Sequence, residues 1–162
     1  MLYKMIENKC REWYDSGECT VHKLIEYIEK TGQMRDAQIE AIKVYLFLKI
    51  GCKCKPLDYL FRNGVFNSID LNEAELSKGS REYLEENPAA AALFEYTRLK
   101  NDRGEQVSEK LEKKIKKFPS DIDYDGFFRN VFYGVSYTDY LFSLPMGAGK
   151  TYLMAAFIYL DL

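Results

Sequence analysis

Over the first three-quarters of the chain, apolar residues recur at intervals of three and four, the spacing that places them on one face of an α-helix. Leu2, Met5, Ile6, Cys10 and Trp13 form one such stripe; Val21, Leu24, Ile25 and Ile28 form a second behind Thr20, an expected N-cap, and it closes near Gly32. Between Met34 and Ile50 the apolar positions Ile39, Ile42, Val44, Leu46, Phe47 and Leu48 occupy more than one side, predicting a helix buried on most faces and stopped by Gly51. Residues 57–69 read two ways: Asn63-Gly64 between two apolar runs is a hairpin turn, whereas Pro56 suits the start of a short helix. Asn72 with Glu75 has the spacing of a capping box, and Asn87-Pro88 supplies a cap and a first-turn proline for a helix running through the alanines to Leu99. Val107, Leu111 and Ile115 stripe one face of a helix that carries Lys110, Lys113, Lys114, Lys116 and Lys117 on its other faces and ends at Pro119. Phe127, Phe128, Val131 and Phe132 predict one more helix. Only residues 140–144 read as a strand, ahead of a glycine-rich turn and a helix over 152–160. The expected fold is mainly α, a compact helical domain with a single strand, turn and helix at the C-terminal end.

Composition narrows the class. Of 162 residues, 47% are apolar and 15% aromatic, enough to bury one core and unlike the composition of disordered chains. The 23 basic and 25 acidic side chains leave a formal charge of −2, which excludes a surface that is basic throughout but allows a local basic face. Charges every few residues at the N-terminus speak against an export signal, and the apolar stretches 44–48 and 153–160 fall far short of the ~20 residues that span a bilayer. A cytoplasmic protein without a membrane span is expected. In that reducing setting Cys10, Cys19, Cys52 and Cys54 are expected as free thiols; Cys52-x-Cys54 is too tightly spaced, and His22 too isolated, for a zinc site.

The residues that carry chemistry lie near the C-terminal end, in Leu144-Pro145-Met146-Gly147-Ala148-Gly149-Lys150-Thr151. A phosphate cradle needs unobstructed backbone N–H groups, which Gly147 and Gly149 provide, and a helix N-terminus facing the anion. Lys150 would reach the β and γ phosphates of ATP, and the Thr151 hydroxyl would hold Mg²⁺. The strict pattern opens with glycine, where this chain has Leu144.

The string resembles motif I of superfamily 2 DNA helicases (DEAD/DEAH-box family), particularly the branch with the helicase subunits of type I and type III restriction enzymes, where the first glycine is commonly replaced. Upstream, Met34-Arg35-Asp36-Ala37-Gln38-Ile39-Glu40-Ala41-Ile42 is similar to that branch's N-terminal glutamine motif. The resemblance implies nucleotide binding by Arg35, Gln38, Met146, Gly147, Ala148, Gly149, Lys150 and Thr151, with Gln38 against adenine. It also implies a helical N-terminal domain over 1–139, with a helical insertion over 51–139, followed over 140–162 by the start of a P-loop NTPase domain. Two departures stand out. Residues 39–146 separate the motifs, where the family has a few tens of residues, and the acidic box, arginine finger and second motor domain that follow motif I are absent. The expected identity is the N-terminal piece of an ATP-dependent helicase or translocase of a restriction or phage-defence system, with ATP, Mg²⁺, DNA and partner subunits as its associates. The alternative is a non-enzymatic helical interaction module in which the glycine turn is incidental.

Other constellations have plainer readings. Asp121, Asp123, Asp125 and Gly126 match the first half of a calcium loop, but position 12 is Phe132, so a capped acidic helix start is expected. The lysines of 110–117 read as a solvated face, with nucleic-acid contact the alternative, because Glu109 and Glu112 are interleaved among them. His22 has no evident triad partner, and Tyr124, Tyr133, Tyr137 and Tyr140 read as packing residues before base-stacking ones.

A P-loop owes its shape to a strand lying inside a parallel sheet. No neighbouring strand is predicted here, so nucleotide binding by residues 1–162 is expected to be weak or absent. Hydrolysis needs a metal-holding acid and a charge-stabilising arginine beyond the cradle, so no phosphate release from ATP above background is expected. Mg²⁺-dependent release that disappears in Lys150→Ala would overturn this.

Overall fold

The computed structural model describes all residues except 102, 134–139, 141, 144–146 and 162. Among the described residues the regular structure is helical: α1 (Tyr3–Asp15), α2 (His22–Thr31), α3 (Asp36–Leu46), α4 (Leu57–Arg62), α5 (Lys78–Glu86), α6 (Pro88–Arg98), α7 (Glu109–Lys117), α8 (Tyr124–Val131) and α9 (Lys150–Asp161). A π-helical turn, Phe47–Gly51, continues α3, and short 3₁₀ turns span Leu71–Glu73 and Pro119–Asp121. The mainly α expectation is met. The expected strand over 140–144 is not found among the described residues: Tyr140, Phe142 and Ser143 have irregular backbone, and Leu141 and Leu144 lie outside the described set. The one β-like pairing described is an isolated antiparallel bridge between Lys100 and Gln106.

The chain forms two compact units, residues 1–9 with 56–138, and residues 10–55 with 139–162, so α1 contributes to both. Residues 34–42 thus belong with the glycine turn.

In the first unit α6 is central and touches α4, α5, α7 and α8. Its sequence explains this, since Ala89, Ala90, Ala91 and Ala92 are buried and their small side chains let neighbours approach on several sides. Asn87 caps α6 as expected, its side chain accepting from the N–H of Ala90 at 3.1 Å. Phe61 of α4 is fully buried and stacks on Phe128 and Phe132, each with ring centroids 5.4 Å away, and meets Phe66 edge-on at 4.8 Å. The backbone decides between the two readings of residues 57–69: Leu57–Arg62 is helical and a turn follows, and the adjacent Leu60 and Phe61 are both buried, which the in-and-out alternation of a half-buried hairpin strand would not allow. The buried carboxylate of Glu95 accepts the backbone N–H groups of Ser68 (2.8 Å) and Ile69 (3.1 Å), holding the following loop.

Two caps differ from expectation. α5 starts at Ser77, whose hydroxyl accepts from Ser80 N–H, while Asn72 lies within the 3₁₀ turn capped by Asp70 and Glu75 follows that turn. α2 begins after Val21 without a side-chain cap, so Thr20 does not serve. The acidic start at 121–126 is a helix cap, with Asp123 accepting from Gly126 N–H at 2.9 Å.

In the second unit α3 packs against α2 and α9. Ile39, Ile42, Leu46, Phe47 and Leu48 are buried while Val44 is half-buried. Trp13 tilts against Phe47 with centroids 5.6 Å apart. Cys10, Cys19 and Cys52 are buried free thiols and Cys54 is exposed. Burial, reinforced by Glu40 against the opposing charge of Lys43, pushes Cys10 up to about 12, and burial alone pushes Cys52 up to about 12, so both stay protonated and unreactive. No helix among the described residues is long and apolar enough to cross a membrane.

Glu112 ties α7 to α6. Its side chain, 14% exposed, meets Lys116 at 3.0 Å and Arg98 at 3.9 Å and accepts from Gln106 at 2.5 Å. Burial alone would raise this carboxyl, but the hydrogen bonds from Gln106 and Lys116 and the charges of Lys116 and Arg98 outweigh it and hold the group below its ordinary value. A carboxyl depressed on folding contributes stability above its unfolded value and loses it as pH falls through the folded one. Glu112→Gln is therefore expected to cost roughly 1–3 kcal/mol near neutral pH, and the difference from the parent should shrink as pH falls below the ordinary carboxylate range. Denaturant unfolding of both proteins at neutral pH and at a series of acidic pH values checks it.

Candidate nucleotide-binding site

Gln38 sits in the first turn of α3 and is 3% exposed. A buried amide needs partners for both ends. Its Oε1 accepts the backbone N–H of Arg35 at 2.8 Å, closing the first turn of α3, and its Nε2 donates to the carbonyl of Gly149 at 2.9 Å, 111 residues away. The exposed Arg35 guanidinium donates to the carbonyl of Gly147, 112 residues away. Two residues of the upstream segment thus hold two carbonyls of the glycine turn.

Gly147 and Gly149 both adopt left-handed backbone, with φ of +76° and +73°. A Cβ on Gly147 would meet open space, whereas one on Gly149 would lie 2.6 Å from the Gln38 Nε2. Position 149 therefore excludes a side chain twice, by backbone and by room. Ala148 between them is buried. The Gly149 carbonyl also accepts from the N–H groups of Tyr152 (3.1 Å) and Leu153 (3.2 Å), so it is the residue from which α9 grows. Lys150 and Thr151 open α9 with exposed side chains. The geometry of a helix start leaves their backbone N–H groups without intrahelical acceptors and facing outward with the positive end of the helix dipole. Met146 lies outside the described residues.

These residues fit a phosphate group. The turn presents N–H donors at a helix N-terminus, an adjacent ammonium at Lys150 and a free-standing hydroxyl at Thr151 for a metal ion. Gln38, to which the family resemblance assigns adenine, has its oxygen and one amide hydrogen committed within the protein, leaving one N–H for a base.

The sequence did not mark Tyr152. Its hydroxyl donates to the Gly32 carbonyl at 2.9 Å, and with Tyr27, Ile28, Met34 and Tyr159 it lines a groove of about 240 Å³ between α2 and α9. Met34 and Tyr152 adjoin Arg35 and Thr151 in sequence, so an aromatic-walled groove lies alongside the turn. At the far end of α9, Asp161 bonds both Tyr45 and Lys49, which lie on α3 and its π-helical continuation. These two charge-assisted contacts lower the Asp161 carboxyl below its ordinary value. Their only hint in the sequence is a lone acid closing an otherwise apolar helix.

Comparison with family models, curated proteins and solved structures finds no match for this chain.

The contact between Gln38 and the glycine turn has a direct consequence for stability. Gly147→Ala is expected to cost about 1–2 kcal/mol from backbone strain alone, and Gly149→Ala more, because the new methyl also displaces the Gln38 amide. In the Gln38→Ala background the Gly149→Ala cost should fall by about 1 kcal/mol, a coupling that a double-mutant cycle of denaturant midpoints reads.

Proposed function

We propose that the chain is the nucleotide-contacting N-terminal region of an ATP-dependent DNA helicase or translocase, of the kind found in restriction or phage-defence systems. What supports this reading is the pairing of two segments that the sequence singled out separately. Arg35 and Gln38 from the glutamine-type segment hold the backbone of Gly147 and Gly149 across more than a hundred residues of chain. An incidental turn has no need of that.

In this reading Gly147 to Lys150 cradle the phosphates of ATP, Thr151 holds Mg²⁺, and the groove of Tyr27, Met34 and Tyr152 takes the base. The strand–P-loop–helix element belongs to the same proposal, with Arg35 and Gln38 bracing the loop from the helical side. α9 is apolar on nearly every face, yet Tyr152, Met154, Ile158 and Tyr159 are 52–74% exposed. A helix of that composition is normally covered on both sides, which suits one layered on the sheet of a motor domain, with DNA and partner subunits engaged by the whole assembly. The same face would equally serve the second reading, a non-enzymatic helical interaction module, and nucleotide separates the two.

Calorimetric titration of the chain with ATP and Mg²⁺ tests the proposal. Weak but saturable binding is expected, near a millimolar Kd or about −4 kcal/mol, and it should disappear in Lys150→Ala. The absence of saturable heat, or binding that Lys150→Ala leaves intact, would favour the interaction module.

A further inference from the structure

Seven charges lie along α7, and the fold sorts them. Glu112 is turned toward α6, where Lys116, Arg98 and Gln106 engage it. Glu109 pairs with Lys113 at 3.5 Å on the surface. Lys110, Lys114 and Lys117 are exposed, and among the described residues none has a carboxylate within ion-pair distance. They stand at helical spacings of four and three, a row on one face with steps of about 5–6 Å. Phe118, just past the helix, is 57% exposed and shares with these lysines a groove of about 460 Å³ that contains no acidic residue. In a chain of net charge −2 this is a concentrated cationic strip with an aromatic ring at its end.

We propose that this strip binds single-stranded nucleic acid, the lysines taking successive phosphates and Phe118 stacking on a base. A row of equally signed charges at regular spacing complements a phosphodiester backbone, and a neighbouring exposed ring supplies the sequence-tolerant stacking such sites use. A lipid surface fits less well. A basic helix lying on a membrane inserts a broad apolar face, and here Ile115 is fully buried in the core, which leaves the half-buried Leu111 and the exposed Phe118 as the apolar residues beside the lysines. The inference belongs to the unit formed by residues 1–9 and 56–138 and rests on no part of the nucleotide reading.

Fluorescence anisotropy of a labelled oligothymidylate with the full chain tests it. Three phosphate contacts predict a slope of about −2 in log affinity against log salt, roughly a 15–20-fold loss over a fourfold rise in salt. Lys110→Gln/Lys114→Gln/Lys117→Gln should weaken binding at low salt at least tenfold and flatten the slope, with the helical circular dichroism unchanged. Phe118→Ala should weaken the single strand several-fold and leave a duplex of the same sequence unaffected. Absence of binding at low salt, or equal binding by the triple variant, overturns the proposal. So does binding of polyglutamate or of phosphatidylserine vesicles as tight as that of the oligonucleotide, which would assign the strip to an acidic protein or a lipid surface.

Discussion

A side-chain amide removed from water must place both its oxygen and its nitrogen against the protein, and at Gln38 these two demands fall on distant parts of the chain. The oxygen closes the first turn of α3, and the nitrogen holds the carbonyl from which α9 starts. Because that carbonyl already receives Tyr152 and Leu153, one atom sets the origin of a helix and its attachment to another. A methyl at position 149 would displace the Gln38 nitrogen and strain a left-handed backbone, which favours glycine there. Arg35 and, at the opposite end of α9, the Asp161 contacts with Tyr45 and Lys49 complete the attachment. The glycine turn is therefore braced by helices, by polar contacts where a P-loop in a sheet would be braced by its strand.

The unit formed by residues 1–9 and 56–138 depends on a different economy of space. Four consecutive buried alanines bring α4, α5, α7 and α8 close around α6, and the remaining volume is filled by the phenylalanines about Phe61. Closeness brings its own polar requirements. Glu95 satisfies two loop N–H groups, the Ser80 hydroxyl donates to the Lys116 carbonyl at 2.7 Å, and Glu112 is drawn toward Arg98. This last contact has the widest effect, because with Glu112 turned inward and Glu109 paired with Lys113, Lys110, Lys114 and Lys117 have no carboxylate within ion-pair distance among the described residues. Alternating signs along a sequence describe a weak field only if every charge stays on the same side.

How much of the candidate site was legible follows from the range of each interaction. The glycines, Lys150 and Thr151 were visible because a helix start with flexible backbone before it is written in adjacent residues. Gln38 was visible as a motif, but its use was not: motif resemblance assigns it to a base, while the fold commits most of its hydrogen-bonding capacity to Gly149. Tyr152 carried no mark at all, because a tyrosine in an apolar helix becomes a groove wall only when another helix, here α2, lies opposite.

The sequence by itself determined where the helices run and which of their faces are apolar, since periodicity, the Asn87-Pro88 start and the glycine stops act over a few residues. It also determined that Gly147 and Gly149 form a flexible turn ahead of a helix. The tertiary structure alone decided that Leu57–Arg62 is a helix followed by a turn, that α2 begins without the Thr20 cap, and that Tyr140, Phe142 and Ser143 have irregular backbone, against the local pattern. It alone decided that Glu112 faces inward and that Gln38 meets Gly149. Those outcomes concern the partners of polar groups more than a turn away, and such partners exist only after the chain has closed and burial has made an unpaired amide or carboxylate costly.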